Sequence, residues 1–362
     1  PEFRAAWRSV ITDDVHPALR RYRDFLNGEY LAAAREALPV SALPNGVACW
    51  RASFRAYTTI DRSPEETYRL GERTVARYEA EALEIGRRLW GAGDLATLRA
   101  RLNADPANRF RTRDELLAFA RAGVARAKAA LPRWFGTLPR GDVVVEPFPA
   151  FLERTASDRY EAAAEDGSRP GIYRINLGRL VENTPARVEN TAFHETYPGH
   201  HLQVAIARER PAVHRVAQLT SNSGFAEGWA RYAEALAEEM GLYATDHARI
   251  YRRMWPAHGM VVDPGFHVLG WSRERAVEFI AATGRMGPQE ADVLVDRITV
   301  WPGQLTAYDT GALEIFALRE RAQRELGPKF DLRAFHDTVL GSGAVTLAML
   351  RELVDAWIVE NR

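Results

Sequence analysis

The stretch "FHETYPGHHLQ" (residues 193–203) puts three histidines and a glutamate into eight positions around a Pro-Gly pair. Zinc hydrolases use H-E-x-x-H on a helix, two ligands one turn apart with the glutamate as base. His194-Glu195 opens that pattern, but Pro198 stands where the second histidine belongs, and the next ones are His200 and His201. On an ideal helix i+6 turns through about 600°, away from the first histidine. Position i+7 returns to its face but climbs roughly 10 Å, too far for two imidazoles to share one ion at ~2.1 Å. Pro198 removes a helix hydrogen bond and Gly199 relaxes the backbone, so a bulge is expected here. Looping out Pro-Gly turns HETYPGH into an ordinary H-E-x-x-H, which favours His200 as second ligand, with His201 as the alternative.

A third ligand must come from elsewhere. "SGFAEGWARYAEAL" (223–236) reads as a helix opened by Glu227, with Gly228 allowing close approach to the first helix. Glu227 is the expected ligand. Glu234, seven residues on along the same face, is either an alternate ligand or the partner of a ligating histidine. The expected cofactor is one Zn2+ per chain. Cys49 is the only cysteine, which excludes a Cys-ligated zinc site and an intramolecular disulfide. It reads as a small buried hydrophobe.

Most of the remaining sequence has helical periodicity. "SPEETYRLGERTVARYEAEALEIGRRLW" (63–90) begins with Ser63 as N-cap, Pro64 at the first helical position and Glu66 completing a capping box. Further helical patterns cover 112–131, 186–209, 225–240, 272–283, 311–326 and 345–359. Strand signals are confined to "DVVVEPF" (142–148) and "GIYRINL" (171–177). The expected fold is mainly α: a large helical, metallopeptidase-like domain with a small β-sheet beside the active-site helix. Residues 1–140 read as the helical N-terminal part of one continuous domain, and 141–362 as the metal-site part.

The 362 residues are 46% hydrophobic and 27% charged, an ordinary globular balance. Lys+Arg and Asp+Glu are 48 each, so nothing points to nucleic acid. No apolar run has the length of a transmembrane span. The chain opens Pro-Glu-Phe and runs straight into a helical pattern, which reads as a truncated N-terminus. Compartment, cytoplasmic or exported, and oligomeric state stay open. There is no G-x-S-x-G nucleophile elbow and no P-loop.

HETYPGHHLQ, EGWARYAE, "VVDPGFHVLGWS" (261–272), "PGQLTAYDTGALEI" (302–315) and "FDLRAFHDTVLGSGAVTLAMLRELV" (330–354) together resemble the bacterial domain-of-unknown-function 885 family. Members are generally longer, so the chain resembles the C-terminal part of one. The resemblance implies a gluzincin-type zinc metallopeptidase site in which His194, His200 and Glu227 bind the metal and Glu195 is the base. One departure is Asp309, which follows Tyr308 where the family pattern carries a basic residue.

The expected chemistry is hydrolysis of a peptide or small amide, with Glu195 taking a proton from metal-activated water. Tyr308 and His267 are candidate donors to the oxyanion. "GIYRINL" is expected to be an edge strand that pairs with an extended peptide, Asn176 touching it. Arg319 or Arg273 would receive a substrate carboxylate, although Arg319 also reads as part of a solvated helix face. Trp229, Trp255, Trp271 and Trp301 read as core, and His16, His214, His247, His258 and His336 as surface or core histidines. Two other classes compete: a catalytically silent peptide-binding protein, and a structural helical protein whose metal only ties helices together.

Overall fold

The computed structural model describes residues 2–164, 167–210 and 222–362; His214 lies outside them. The chain is mainly α-helical with one small sheet, in the expected fold class. The first helices, α1 (Glu2–Ser9), α2 (His16–Phe25) and α3 (Leu31–Ala33), are joined by π-helical turns and bury no side chain. Phe3, Trp7, Leu19, Tyr22 and Tyr30 are exposed along them. Then follow α4 (Gly46–Thr58), α5 (Pro64–Trp90), α6 (Leu95–Ala104) and α7 (Arg113–Ala130). The Ser63–Glu66 capping box forms, with Glu66 N–H donating to Ser63 Oγ at 3.1 Å and Ser63 N–H to Glu66 Oε2 at 3.0 Å. Gly91, at φ 65°, ends α5 in the left-handed conformation that favours glycine.

Three strands follow: β1 (Val143–Pro147), β2 (Arg159–Glu161) and β3 (Gly171–Ile175). Their order is β1-β3-β2, with β1 and β3 parallel and β2 antiparallel to β3. The "GIYRINL" strand is therefore central rather than an edge, because the three-residue β2 covers its free side.

Among the described residues the remaining α-helices are α8 (Pro185–Glu195), α9 (His200–Glu209), α10 (Ser223–Glu239), α11 (Asp246–Arg253), α12 (His258–His267), α13 (Arg273–Ala281), α14 (Pro288–Val300), α15 (Ala307–Leu326), α16 (Leu332–Gly341) and α17 (Leu347–Asn361). The pattern over 186–209 is thus two helices, parted at 196–199.

Two apolar clusters carry the packing. The larger joins Leu116, Val145, Phe193, Leu202, Trp229 and Leu318, drawn from both sides of residue 140. The second joins Val75, Met260, Phe266, Trp271, Val295, Ile298 and Leu305. Trp229, Trp255 and Trp271 are core, whereas Trp301 is 50% exposed at the end of α14. Cys49 is exposed, contrary to its reading as a buried hydrophobe. No described helix is long and apolar enough to cross a membrane.

Candidate metal centre

Thr184 caps α8 by accepting from Arg187 N–H, and Pro185 occupies its first turn. The helix presents Arg187, Thr191, His194 and Glu195 on its incompletely buried face and sinks Val188, Ala192 and Phe193 into the core. It stops at Glu195. Residues 196–199, with a cis Tyr197–Pro198 bond, turn the chain before α9 restarts at His200. Position 199 must be glycine: a Cβ there would lie 2.0 Å from the His194 carbonyl oxygen. Trp229 of α10, fully buried, donates its indole N–H to the Pro198 carbonyl at 2.9 Å and holds the turn.

The turn brings His200 beside His194. The ring centres are 4.8 Å apart and perpendicular. Glu227, in the first turns of α10, places Oε2 at 3.5 Å from His194 Nε2 and 3.4 Å from His200 Nε2. One ligand atom of each residue lies within 4.8 Å of the other two. Donors on a tetrahedral zinc at ~2.1 Å stand about 3.4 Å apart, so this donor set fits such an ion in type, and in spacing for the two pairs that Glu227 makes. Burial lowers the His194 pKa, but hydrogen bonds to Glu227 and Glu234 and the charge of Glu195 outweigh it and hold it up at about 10. Burial raises Glu227, yet its two histidine partners keep it well below the usual carboxylate range.

Around the donors lies a second ring of contacts. His194 Nδ1 meets Glu234 Oε1 at 2.8 Å, which turns Nε2 to the centre. Arg231 grips both Glu234 oxygens at 2.9 and 2.8 Å, and its Nε lies 3.6 Å from the buried Asp309. Asp309 is thus a buried counter-charge of Arg231. Glu195 Oε2 accepts from the Tyr160 amide of β2 at 2.8 Å. Burial raises the Glu195 carboxyl, opposed only in part by the two histidines and that amide. Helices α10 and α15 cross at Gly228 and Gly311, where a Cβ on Gly311 would lie 1.7 Å from the Gly224 carbonyl oxygen. Tyr308 lies one turn before Gly311, near enough to Glu227 to feel its charge.

A family model described as "Bacterial protein of unknown function (DUF885)" matches residues 1–354. The chain belongs to this family. No curated protein sequence matches it. Among solved structures, a Colwellia psychrerythraea protein superposes with TM-score 0.92 at 30% identity, covering 97% of this chain and 61% of its own. A Shewanella oneidensis protein gives TM-score 0.78 at 20% identity, covering 94% and 65%, and shares the fold. Both are described as a "putative lipoprotein", and the present chain spans less than two thirds of either.

Within this DUF885 fold the other expected site residues fall in different places. His201 turns away from the centre: Nε2 faces the Gly141 carbonyl and the Tyr197 hydroxyl at 3.2 and 3.1 Å, and Nδ1 faces the Tyr160 hydroxyl at 3.0 Å. It is fully buried, which lowers its pKa to about 4. Glu234 contacts a donor histidine rather than the donor centre. His267 cannot serve as an oxyanion donor, because its ring is used by backbone: Nδ1 accepts from Val40 N–H at 3.1 Å and Nε2–H donates to the Ile298 carbonyl at 2.8 Å. Asn176 is buried and braces a loop, donating to the Glu153 and Ala156 carbonyls. Arg319 forms a two-pronged pair with Glu239, and Arg273 pairs with Asp292 and Asp296. Neither guanidinium is open to a substrate carboxylate. Tyr308 lies within reach of the charge of Glu227, which with burial raises its pKa and keeps it an O–H, while its oxygen accepts from Arg297. Sequence reasoning missed Arg231, Tyr160 and the hold of Trp229 on Pro198. The i, i+3 pairing of Arg231 with Glu234 was a local signal; the other two contacts join distant segments.

Proposed function

We propose that the chain is a zinc-dependent hydrolase of peptide or related amide bonds. The observation that carries this reading is the convergence of His194 Nε2, His200 Nε2 and Glu227 Oε2 at zinc-like spacing, with Glu195 beside them. Three protein donors leave a fourth position for water or substrate, as in catalytic rather than structural zinc sites. His201, which would close the sphere, is turned away.

When bound, zinc supplies Lewis acidity, polarising a carbonyl and acidifying water. Glu195, held in place by the Tyr160 amide, takes the proton and passes it to the leaving amine. Glu234 keeps the His194 lone pair aimed inward, and Arg231 neutralises Glu234 so that the carboxylate stays ionised while buried. The Tyr308 hydroxyl donates to the developing oxyanion.

The test pairs elemental mass spectrometry of the purified chain with hydrolysis of a mixed peptide set. About one zinc per chain is expected, lost in His194→Ala. Glu195→Gln should keep zinc and lose at least roughly 100-fold in rate. Zinc absent after it is offered, or Glu195→Gln as active as the parent, would overturn the reading.

A further inference from the structure

Buried and partly buried arginines of the neighbouring helices sit on carboxylates: Arg187 on Glu290 at 3.3 Å, Arg231 on Glu234 at 2.8 Å, Arg252 on Glu238 at 2.6 Å and Arg319 on Glu239 at 2.7 Å. Arg297 of α14 does not. Its Nη2 donates to two neutral oxygens, Gln304 Oε1 at 2.7 Å and Tyr308 Oη at 3.2 Å. Its Nε is buried without an acceptor, and no described residue accepts from Nη1. The guanidinium carbon lies 5.7 Å from the ring centre of half-exposed Trp301. Arg62, Arg231, Arg249, Arg285 and Arg321 also carry a buried nitrogen without a hydrogen-bond partner, but Arg231, Arg249 and Arg321 each sit on a carboxylate, and neither Arg62 nor Arg285 hydrogen-bonds a described residue of the centre.

A guanidinium held between neutral groups, with part of its fork desolvated and unused, is costly to keep and suited to a two-pronged anion. Its position says which anion matters. Tyr308 is the partly exposed residue in an otherwise buried first turn of α15, close enough to Glu227 to feel its charge. Its ring lies 5.9 Å from the Arg231 guanidinium, which holds the Glu234 that holds His194. Arg297 is therefore linked to the residues around the centre through one side chain, Tyr308, which suits it to a part of the substrate beside the reacting atoms rather than to those atoms themselves.

We propose that Arg297, backed by Gln304 and Tyr308, receives a free carboxylate of the substrate, so that the chain takes peptides or other amides whose scissile bond lies within one or two residues of a carboxylate end. This deepens the hydrolase reading and rests on it for the scissile bond, though not for the binding.

The probes are N-acetyl-dialanine and N-acetyl-trialanine, each as the free acid and as the C-terminal amide. Binding is measured by calorimetry to zinc-supplied Glu195→Gln protein, with turnover followed in the parent. The acid of at least one length should bind roughly 10- to 100-fold more tightly than its amide. That ratio should fall towards one when Arg297→Gln is added and recover in part with Arg297→Lys. Zinc content and melting temperature check that the variants are folded. If Arg297→Gln does not fold, Gln304→Glu, which sets a carboxylate of the chain itself on the guanidinium, should collapse the ratio equally. Equal binding of acid and amide at both lengths, or a ratio that survives the folded variant, overturns the proposal. A ratio that depends on Arg297 without cleavage of any probe or of the mixed peptides would sink the hydrolase reading and leave the carboxylate site standing. Cleavage without preference would do the reverse.

Discussion

Glu234 shows how a single carboxylate controls the donor set without belonging to it. Its Oε1 is 2.8 Å from His194 Nδ1, and its charge is balanced by the fully buried Arg231. Glu234→Gln keeps the shape but removes the charge that orients the imidazole, and it leaves Arg231 under-compensated. Zinc affinity should fall about 10- to 100-fold, measured by competition with a chelator. An unchanged affinity would mean that the contact is incidental. Much of this residue-level pattern was legible because His194, Glu195 and His200 are neighbours in the chain and Glu227 opens the next strongly amphipathic helix. The choice between His200 and His201 was harder, since both lie within the same short count. What decides it is the backbone of residues 196–199, shaped by the Pro198 carbonyl that Trp229 holds. Arg319 and Arg273 misled for a related reason: their partners, Glu239 and Asp292, lie 80 and 19 residues away, where no spacing rule connects them.

The crossing of α10 and α15 has no room for a side chain. A Cβ at Gly311 would lie 1.7 Å from the Gly224 carbonyl oxygen, and one at Gly228 would lie 2.6 Å from the Gly311 backbone. Gly311→Ala must push the helices apart, and with them Glu227 from Tyr308. A loss of stability of about 1–3 kcal/mol is expected, or more, since backbone and not a flexible side chain is in the way. Urea unfolding would read the stability and chelator competition the weakened zinc site; a variant that matched the parent in both would show that the crossing relaxes freely. At this scale the capping box of α5 and the extent of α7 and α10 were readable from caps and periodicity, whereas α15 begins at Ala307, one turn before the expected 311. The place of β3 was not. Its neighbour β2 has three residues, too few for an alternation to register, so an apolar strand that is central looked like an edge.

Across the whole molecule, several histidines are kept neutral by burial. The pKa of His201, His258 and His267 is lowered to about 4 and that of His336 to about 3, in each case chiefly by desolvation. In the unfolded chain each titrates near 6.5. Between about pH 6.5 and 4 the unfolded state therefore binds more protons at these four positions than the folded one, and their contribution to stability falls as the pH falls. Asp263, raised to about 7, His194, held up at about 10, and the raised carboxyls of Asp158, Glu189, Glu195 and Asp309 work in the opposite direction, favouring the fold as pH drops. The histidine contribution is isolated by His336→Gln: between pH 7 and pH 5, urea unfolding should show the variant losing less stability, or gaining more, than the parent. Equal changes in the two proteins would contradict this account. The mainly α class was legible in the sequence because the helical patterns are long. The division of the core into two clusters was not, because Val75 on α5 joins residues beyond 255 that share no local pattern with it.

The joint between α8 and α9 has a consequence for phase. Counted straight through, Phe193 and Leu202 are nine steps apart, about 900° on a helix, and so would face opposite ways. Both are fully buried in the same apolar cluster. With Pro198 and Gly199 left out of the count they are seven steps apart, about 700°, close to two whole turns, and His194 to His200 becomes four. The same pair, discounted once, returns both the donor and the apolar stripe to register. Losing or gaining one residue here would rotate everything downstream by about 100° and part Leu202 from the core as surely as His200 from Glu227. The length change that leaves both in register is the loss of the looped-out pair itself, because two further residues on a helix would turn it by about 200°.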